Sequence, residues 1–146
     1  MSWKKLLDEK RIAPELTSKK ELDELRRMVA LNLKDAHVVL VSTQGRYEFA
    51  YNAARLMATA VVRASGYRVI AKTGHHYFTF QALQATDASF MKAAIYFDSA
   101  RDMRNDFSYE GAVPVSDTDV DELITAVEQF QQSAELWIKA RDSSLA

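Results

Sequence analysis

Apolar residues recur along most of this chain at intervals of three and four, and strict polar–apolar alternation is scarce, so the pattern predicts helix almost throughout. A short amphipathic segment over residues 3–10 precedes a break at Pro14. Thr17 and Ser18 are N-cap residues for a first long helix, with Glu21 three residues after Ser18 in the capping-box arrangement. Its apolar face is Leu22, Leu25, Val29, Leu33, Ala36 and Leu40. Ser42-Thr43-Gln44-Gly45 interrupts the pattern, and a second helix then runs from about Arg46 to Ser65, with Gly66 as its stop. That helix carries Ala50, Ala53, Ala54, Ala58, Ala60 and Ala64, small side chains that let neighbouring helices come close, so it is expected at the centre. A third helix is predicted from near His75 to near Asp87, and a fourth, capped by Ser89, to about Tyr109. Ser116 or Asp117 opens the last, whose Val120, Leu123, Val127, Phe130, Ala134 and Trp137 make a bundle seam. The linking segments are short, which makes successive helices antiparallel neighbours. The expected architecture is therefore all-α: an antiparallel up-and-down helical bundle of about five helices. It forms one domain over residues 1–146, with residues 1–14 as a short N-terminal amphipathic segment.

Composition narrows the function classes. The chain is 48% apolar and 27% charged with a net charge of −1, which fits a folded protein that does not coat nucleic acid by bulk charge. A local basic patch remains compatible with RNA. The absence of cysteine excludes disulfides, thiolate metal sites and thiol nucleophiles. The longest membrane-span candidate, Ala54 to Ala64, is interrupted by Arg55 and Arg63, and Met1-Ser2-Trp3-Lys4-Lys5 leads into charged residues rather than a signal-peptide core. A cytoplasmic protein with no membrane partner is expected. No carboxylate pair, phosphate-binding glycine loop or serine–histidine–acid set is evident, and no cofactor or metal is expected.

One stretch breaks the hydrophobic register. Phe90, Ala93, Phe97 and Ala100 step by three and four, and the next position is Arg104, followed by Phe107. Arg101 lies one turn before, Asn105 shares a face with Arg101, and Tyr109 lies one turn beyond Asn105. A guanidinium stays charged, so its burial without a partner is very unfavourable. Either acids neutralise this cluster (Asp98 or Asp102 for Arg101, Asp106 or an acid of another helix for Arg104) or it faces a cleft and awaits an anion. Gly74-His75-His76 opens the third helix. Adjacent histidines diverge on a helix, so His75 and His76 suit N-terminal hydrogen bonding better than metal ligation, which prefers a spacing of four. His37 reads as structural. Tyr47, Phe49 and Tyr51 either stack bases or belong to the core with their hydroxyls at its rim.

In order and spacing these fragments resemble the HEPN domains (higher eukaryotes and prokaryotes nucleotide-binding). The resemblance rests on Trp3-Lys4-Lys5-Leu6-Leu7, on Tyr47-Glu48-Phe49-Ala50-Tyr51-Asn52-Ala53-Ala54, and on Gly66-Tyr67-Arg68. Gly74-His75-His76 and Arg101 with Arg104-Asn105-Asp106-Phe107-Ser108-Tyr109 complete it. It covers nearly the whole chain. It implies a homodimer with a basic cleft that binds RNA or nucleotide phosphates through Arg101, Arg104 and Asn105, in a toxin–antitoxin or phage-defence setting. Many such proteins are metal-independent endoribonucleases in which arginine stabilises the phosphorane and a histidine moves the proton. The implied catalytic residues here are Arg104 and Tyr109, and Tyr109 stands where that histidine is expected. With an ordinary pKa near 10, tyrosine orients a phosphate or donates a hydrogen bond rather than acting as a base at neutral pH. His75, His76, Tyr47 and Tyr51 are the remaining candidate binding residues. The alternative that the resemblance implies is a non-catalytic partner-binding or substrate-binding module for a separate minimal nucleotidyltransferase.

Overall fold

A computed structural model describes residues 1–108 and 114–146. Among them six α-helices form: α1 (Trp3–Asp8), α2 (Lys19–Ala36), α3 (Thr43–Ala64), α4 (His75–Thr86), α5 (Met91–Asn105) and α6 (Asp117–Arg141). The only strands among the described residues are β1 (Ile12–Pro14) and β2 (Tyr67–Val69), an antiparallel pair with Ile12 opposite Val69 and Pro14 opposite Tyr67. The protein is an all-α bundle.

The alanine-rich helix is the hub. α3 packs against α2, α4, α5 and α6. Ala50, Ala53, Ala54, Ala58, Ala60 and Ala64 are all buried along it, so three or more helices can crowd one axis without large side chains holding them apart. The bulk that fills the remaining space comes from its partners: Leu22 and Val29 of α2, Phe80 and Leu83 of α4, Phe97 of α5, and Leu123, Val127 and Phe130 of α6. A smaller cluster of Leu6, Ile12, Val62, Val69, Ala71 and Ala82 lies under the strand pair and fixes α1 and β2 to α4.

Local sequence accounts for most element ends. Ser18 accepts from the Glu21 amide, Ser42 from Gly45, and Ser116 forms a reciprocal capping box with Asp119. Three boundaries depart from the hydrophobic pattern. α2 ends at Ala36 rather than near Leu40, and Leu40 is 98% exposed. The β-branched Val38-Val39 pair is a poor helix continuation, and no neighbouring element covers Leu40 to compensate. α3 begins at Thr43, earlier than expected, with Gly45 inside its first turn because a Cβ there would lie 2.9 Å from Val41 Cγ1. The cap before α5 is Asp87, which accepts from the Ser89 amide and opens a 3₁₀ turn over Ala88–Phe90; Ser89 does not cap the helix.

Candidate functional site

Three helices deliver polar side chains to one place. On α3, Glu48, Tyr51 and Arg55 follow one another at three and four residues and so share a face. α5 supplies Arg101 and Arg104 from its last turns, and α4 supplies His76 and Tyr77 from its first. The Tyr51 hydroxyl and His76 Nδ1 share a hydrogen bond of 3.0 Å. Arg104 places its guanidinium carbon 5.1 Å from the centre of the Tyr51 ring, and Arg101 lies 5.6 Å from that of Tyr77.

The arginines are unequally neutralised. Arg101 Nε donates to Asp98 at 2.8 Å and its Nη2 lies 3.2 Å from Asp102, and the Asp98 hydrogen bond holds its pKa above the ordinary value. Arg104 reaches only one acid among the described residues, Glu48 of α3, at 3.7 Å. Both halves of the pairing alternative are thus present, but the Arg104 pair is long. Arg55 differs from either. Its Nε is buried with no hydrogen-bond partner among the described residues. Desolvation, and then the like charge of Arg104, push its pKa down. A guanidinium in that position raises the local potential, and no acid among the described residues pairs with it directly.

The neighbouring groups register that potential. Burial, followed by the charges of Arg55, Arg104, His75 and Arg101, lowers the His76 pKa to about 4, so the imidazole is neutral at pH 7. Burial pushes Tyr51 up to about 12 although three arginines pull the other way, so the phenol stays protonated. The α4 N-terminus adds a fixed partial charge of the same sign. Its N-cap is Gly74 at φ +71°, which offers no side-chain cap, and the first hydrogen bond back to Gly74 comes from the Phe78 amide. The assembled groups are three guanidiniums, an uncapped helix start and a neutral Tyr–His pair, a set suited to receiving an anion by charge-assisted hydrogen bonds.

The other candidates separate. Tyr47 is 4% exposed and packs edge-on against Phe107 at 5.7 Å, and burial raises its pKa. It is a core residue holding the end of α5 rather than a surface for stacking. His75 Nδ1–H donates to the Ala71 carbonyl at 3.0 Å, an anchoring bond at the helix start. Asn105 closes α5 and is exposed. Tyr109 lies outside the described residues. His37 is the C-cap of α2 and bonds Glu128 of α6 at 3.1 Å. No group of three or more His, Asp and Glu able to hold a metal is present among the described residues, and no helix is long and apolar enough to cross a membrane.

Sequence reasoning missed Arg55. It was visible only as an interruption of an apolar run, whereas its position one turn after Tyr51 was the available signal. Comparison with family models, with curated proteins and with solved structures finds no match to the chain. Fold and site together describe an all-α bundle with a cationic cluster where α3, α4 and α5 meet.

Proposed function

We propose that this is a HEPN-like protein that binds RNA or nucleotide phosphates on Arg55, Arg101 and Arg104, as a toxin–antitoxin or defence component. The observation that carries the reading is Arg55: a buried guanidinium nitrogen without a partner among the described residues, beside two further arginines and a helix start with no side-chain cap. Such a group destabilises the free protein, and a bound phosphate supplies the counter-charge it lacks. Tyr51 is fully buried, so its hydroxyl holds the half-buried His76 ring, and His76 is the neutral hydrogen-bonding group towards the phosphate oxygens. Transphosphorylation of RNA belongs to this reading: the 2′-oxygen attacks phosphorus and loses its proton, the 5′-oxygen leaves and takes one up, and Arg104 stabilises the charge on the non-bridging oxygens.

A homodimer completes the cleft in this reading. Met91, Ile95 and Met103 are exposed on α5, the helix that carries Arg101 and Arg104, and Met91 and Ile95 are one turn apart. A separate observation favours a second reading, a module for a separate nucleotidyltransferase. Leu31, Val39 and Leu40 are exposed on α2 and the segment after it, elements that contribute nothing to the cluster.

The test is incubation of the purified protein with a labelled single-stranded RNA, scoring both complex and cleavage products for wild type, Arg104→Ala and His76→Ala. The first reading expects a complex that weakens at least about tenfold in Arg104→Ala. Equal binding by wild type and Arg104→Ala removes it.

A further inference from the structure

A cavity of about 670 Å³ opens beside the arginine cluster, between the start of α2, the second half of α3, β2 and the first turns of α4. The two regions adjoin along α3 and at the start of α4. Thr59 of the cavity is one turn beyond Arg55 on α3, and its Oγ1 donates to the Arg55 carbonyl at 2.9 Å. His75 of the cavity precedes His76 of the cluster, with ring centres 6.4 Å apart. One helix start therefore divides them, with His76 towards the arginines and His75 towards the cavity.

Their chemistries are complementary. Leu25, Val62 and Val69 give the cavity apolar walls, which a bare phosphate has no use for and which accept the faces of a flat ring. The hydrogen-bonding groups there are mostly acceptors or already engaged. His75 has its Nδ1–H engaged on the Ala71 carbonyl. The Thr59 hydroxyl donates to the Arg55 backbone carbonyl, and Glu24 adds a carboxylate that Arg27 already engages from outside. The cavity's Arg63 is turned to Glu21 by paired hydrogen bonds and has Glu15 at 3.6 Å, while Arg68 faces Glu15 at 3.4 Å. Lys20 is the cation left at the mouth. Such a lining suits a group that carries donors, such as exocyclic amines and sugar hydroxyls, better than it suits a second phosphate.

We infer that this cavity holds the nucleoside of a nucleoside phosphate whose phosphate lies on Arg55, Arg101 and Arg104. The axial step from Arg55 to Thr59, about 6 Å, is the distance the sugar has to span. This inference rests on the phosphate-binding reading of the cluster and adds to it the place, and the chemical class, of the rest of the ligand.

The experiment is calorimetric titration of the full chain with adenosine, guanosine, cytidine and uridine 5′-diphosphates and with inorganic pyrophosphate. At least one nucleoside diphosphate should bind about tenfold or more tighter than pyrophosphate. Filling the cavity with Thr59→Phe should bring that ratio to about one. Leu25→Trp, which fills it from the opposite wall, gives the same reading should Thr59→Phe lose its helical circular dichroism. An octaribonucleotide that competes in wild type assigns the nucleoside to an RNA strand, and one that does not assigns it to a free nucleotide; either supports the inference. Pyrophosphate binding as tight as that of every nucleoside diphosphate overturns the inference while leaving the phosphate site standing. Absence of binding by all of them overturns both.

Discussion

Replacing Arg55 by methionine should make this protein more stable and less able to bind anions. Methionine keeps an unbranched, flexible stem of similar reach and removes the charge. The guanidinium nitrogen it eliminates is buried without a partner among the described residues, and the nearby arginine repels it. An unsatisfied buried polar group costs about 1–3 kcal/mol, more when charged. Part of the Arg55 side chain still meets solvent, so a gain of about 1–2 kcal/mol is expected for Arg55→Met. For a domain near this size that is a Tm rise of roughly 3–6 °C. Urea unfolding at pH 7 gives the free energy directly, with an unchanged m-value showing that the gain belongs to the folded state. Added pyrophosphate should raise the Tm of wild type and leave that of Arg55→Met almost unmoved, which closes the gap between them. A Tm that falls by several degrees on substitution refutes the reasoning, because Arg55 is then a structural residue whose hydrogen bonds stabilise the bundle.

Three other consequences follow from particular contacts. Arg63 is 5% exposed and holds Glu21 by paired hydrogen bonds, so Glu21→Ala, which leaves that cation only the longer contact to Glu15, should destabilise by about 2 kcal/mol in urea unfolding. Leu40→Ser should change stability by less than about 0.5 kcal/mol, since the side chain is 98% exposed; a larger loss would place Leu40 in the α2 face after all. The folded-state pKa of His76, about 4, lies below its ordinary 6.5, so the unfolded chain binds more protons between those values. The contribution of His76 to stability is thus complete above pH 6.5 and lost as pH falls towards 4. The urea midpoint of wild type should decline across that window more steeply than that of His76→Gln.

The sequence pattern carried the fold because helix-period spacing and the alanine run both report the same thing, which face is buried and how closely it is approached. Its failures share a cause. At Leu40 the three-four register continues past the point where any partner helix exists to cover it, and periodicity alone does not reveal that. Of the site, Arg104 stood out because it interrupts an apolar stripe, and Arg101 because it lies one turn before it on the same helix. Arg55 did not, because its meaning depends on α4 and α5 arriving beside it, and His76 became a member only through the Tyr51 hydroxyl. Tyr47 was misleading for the converse reason: a tyrosine at a helix start looks available for stacking until Phe107 covers it. The HEPN resemblance directed attention to the end of α5, whereas the geometry adds contributions from two other helices.

The most direct test of the central claim is a ¹⁵N-resolved NMR titration of the wild-type chain with inorganic pyrophosphate. The account predicts saturable shifts confined largely to the first-turn amides of α4 (His75, His76 and Tyr77) and to the side-chain Nε–H groups of Arg55, Arg101 and Arg104. It also predicts that the Arg55 Nε–H resonance moves as a counter-charge arrives beside its guanidinium. Shifts that map elsewhere, or none at millimolar pyrophosphate and low salt, would contradict it.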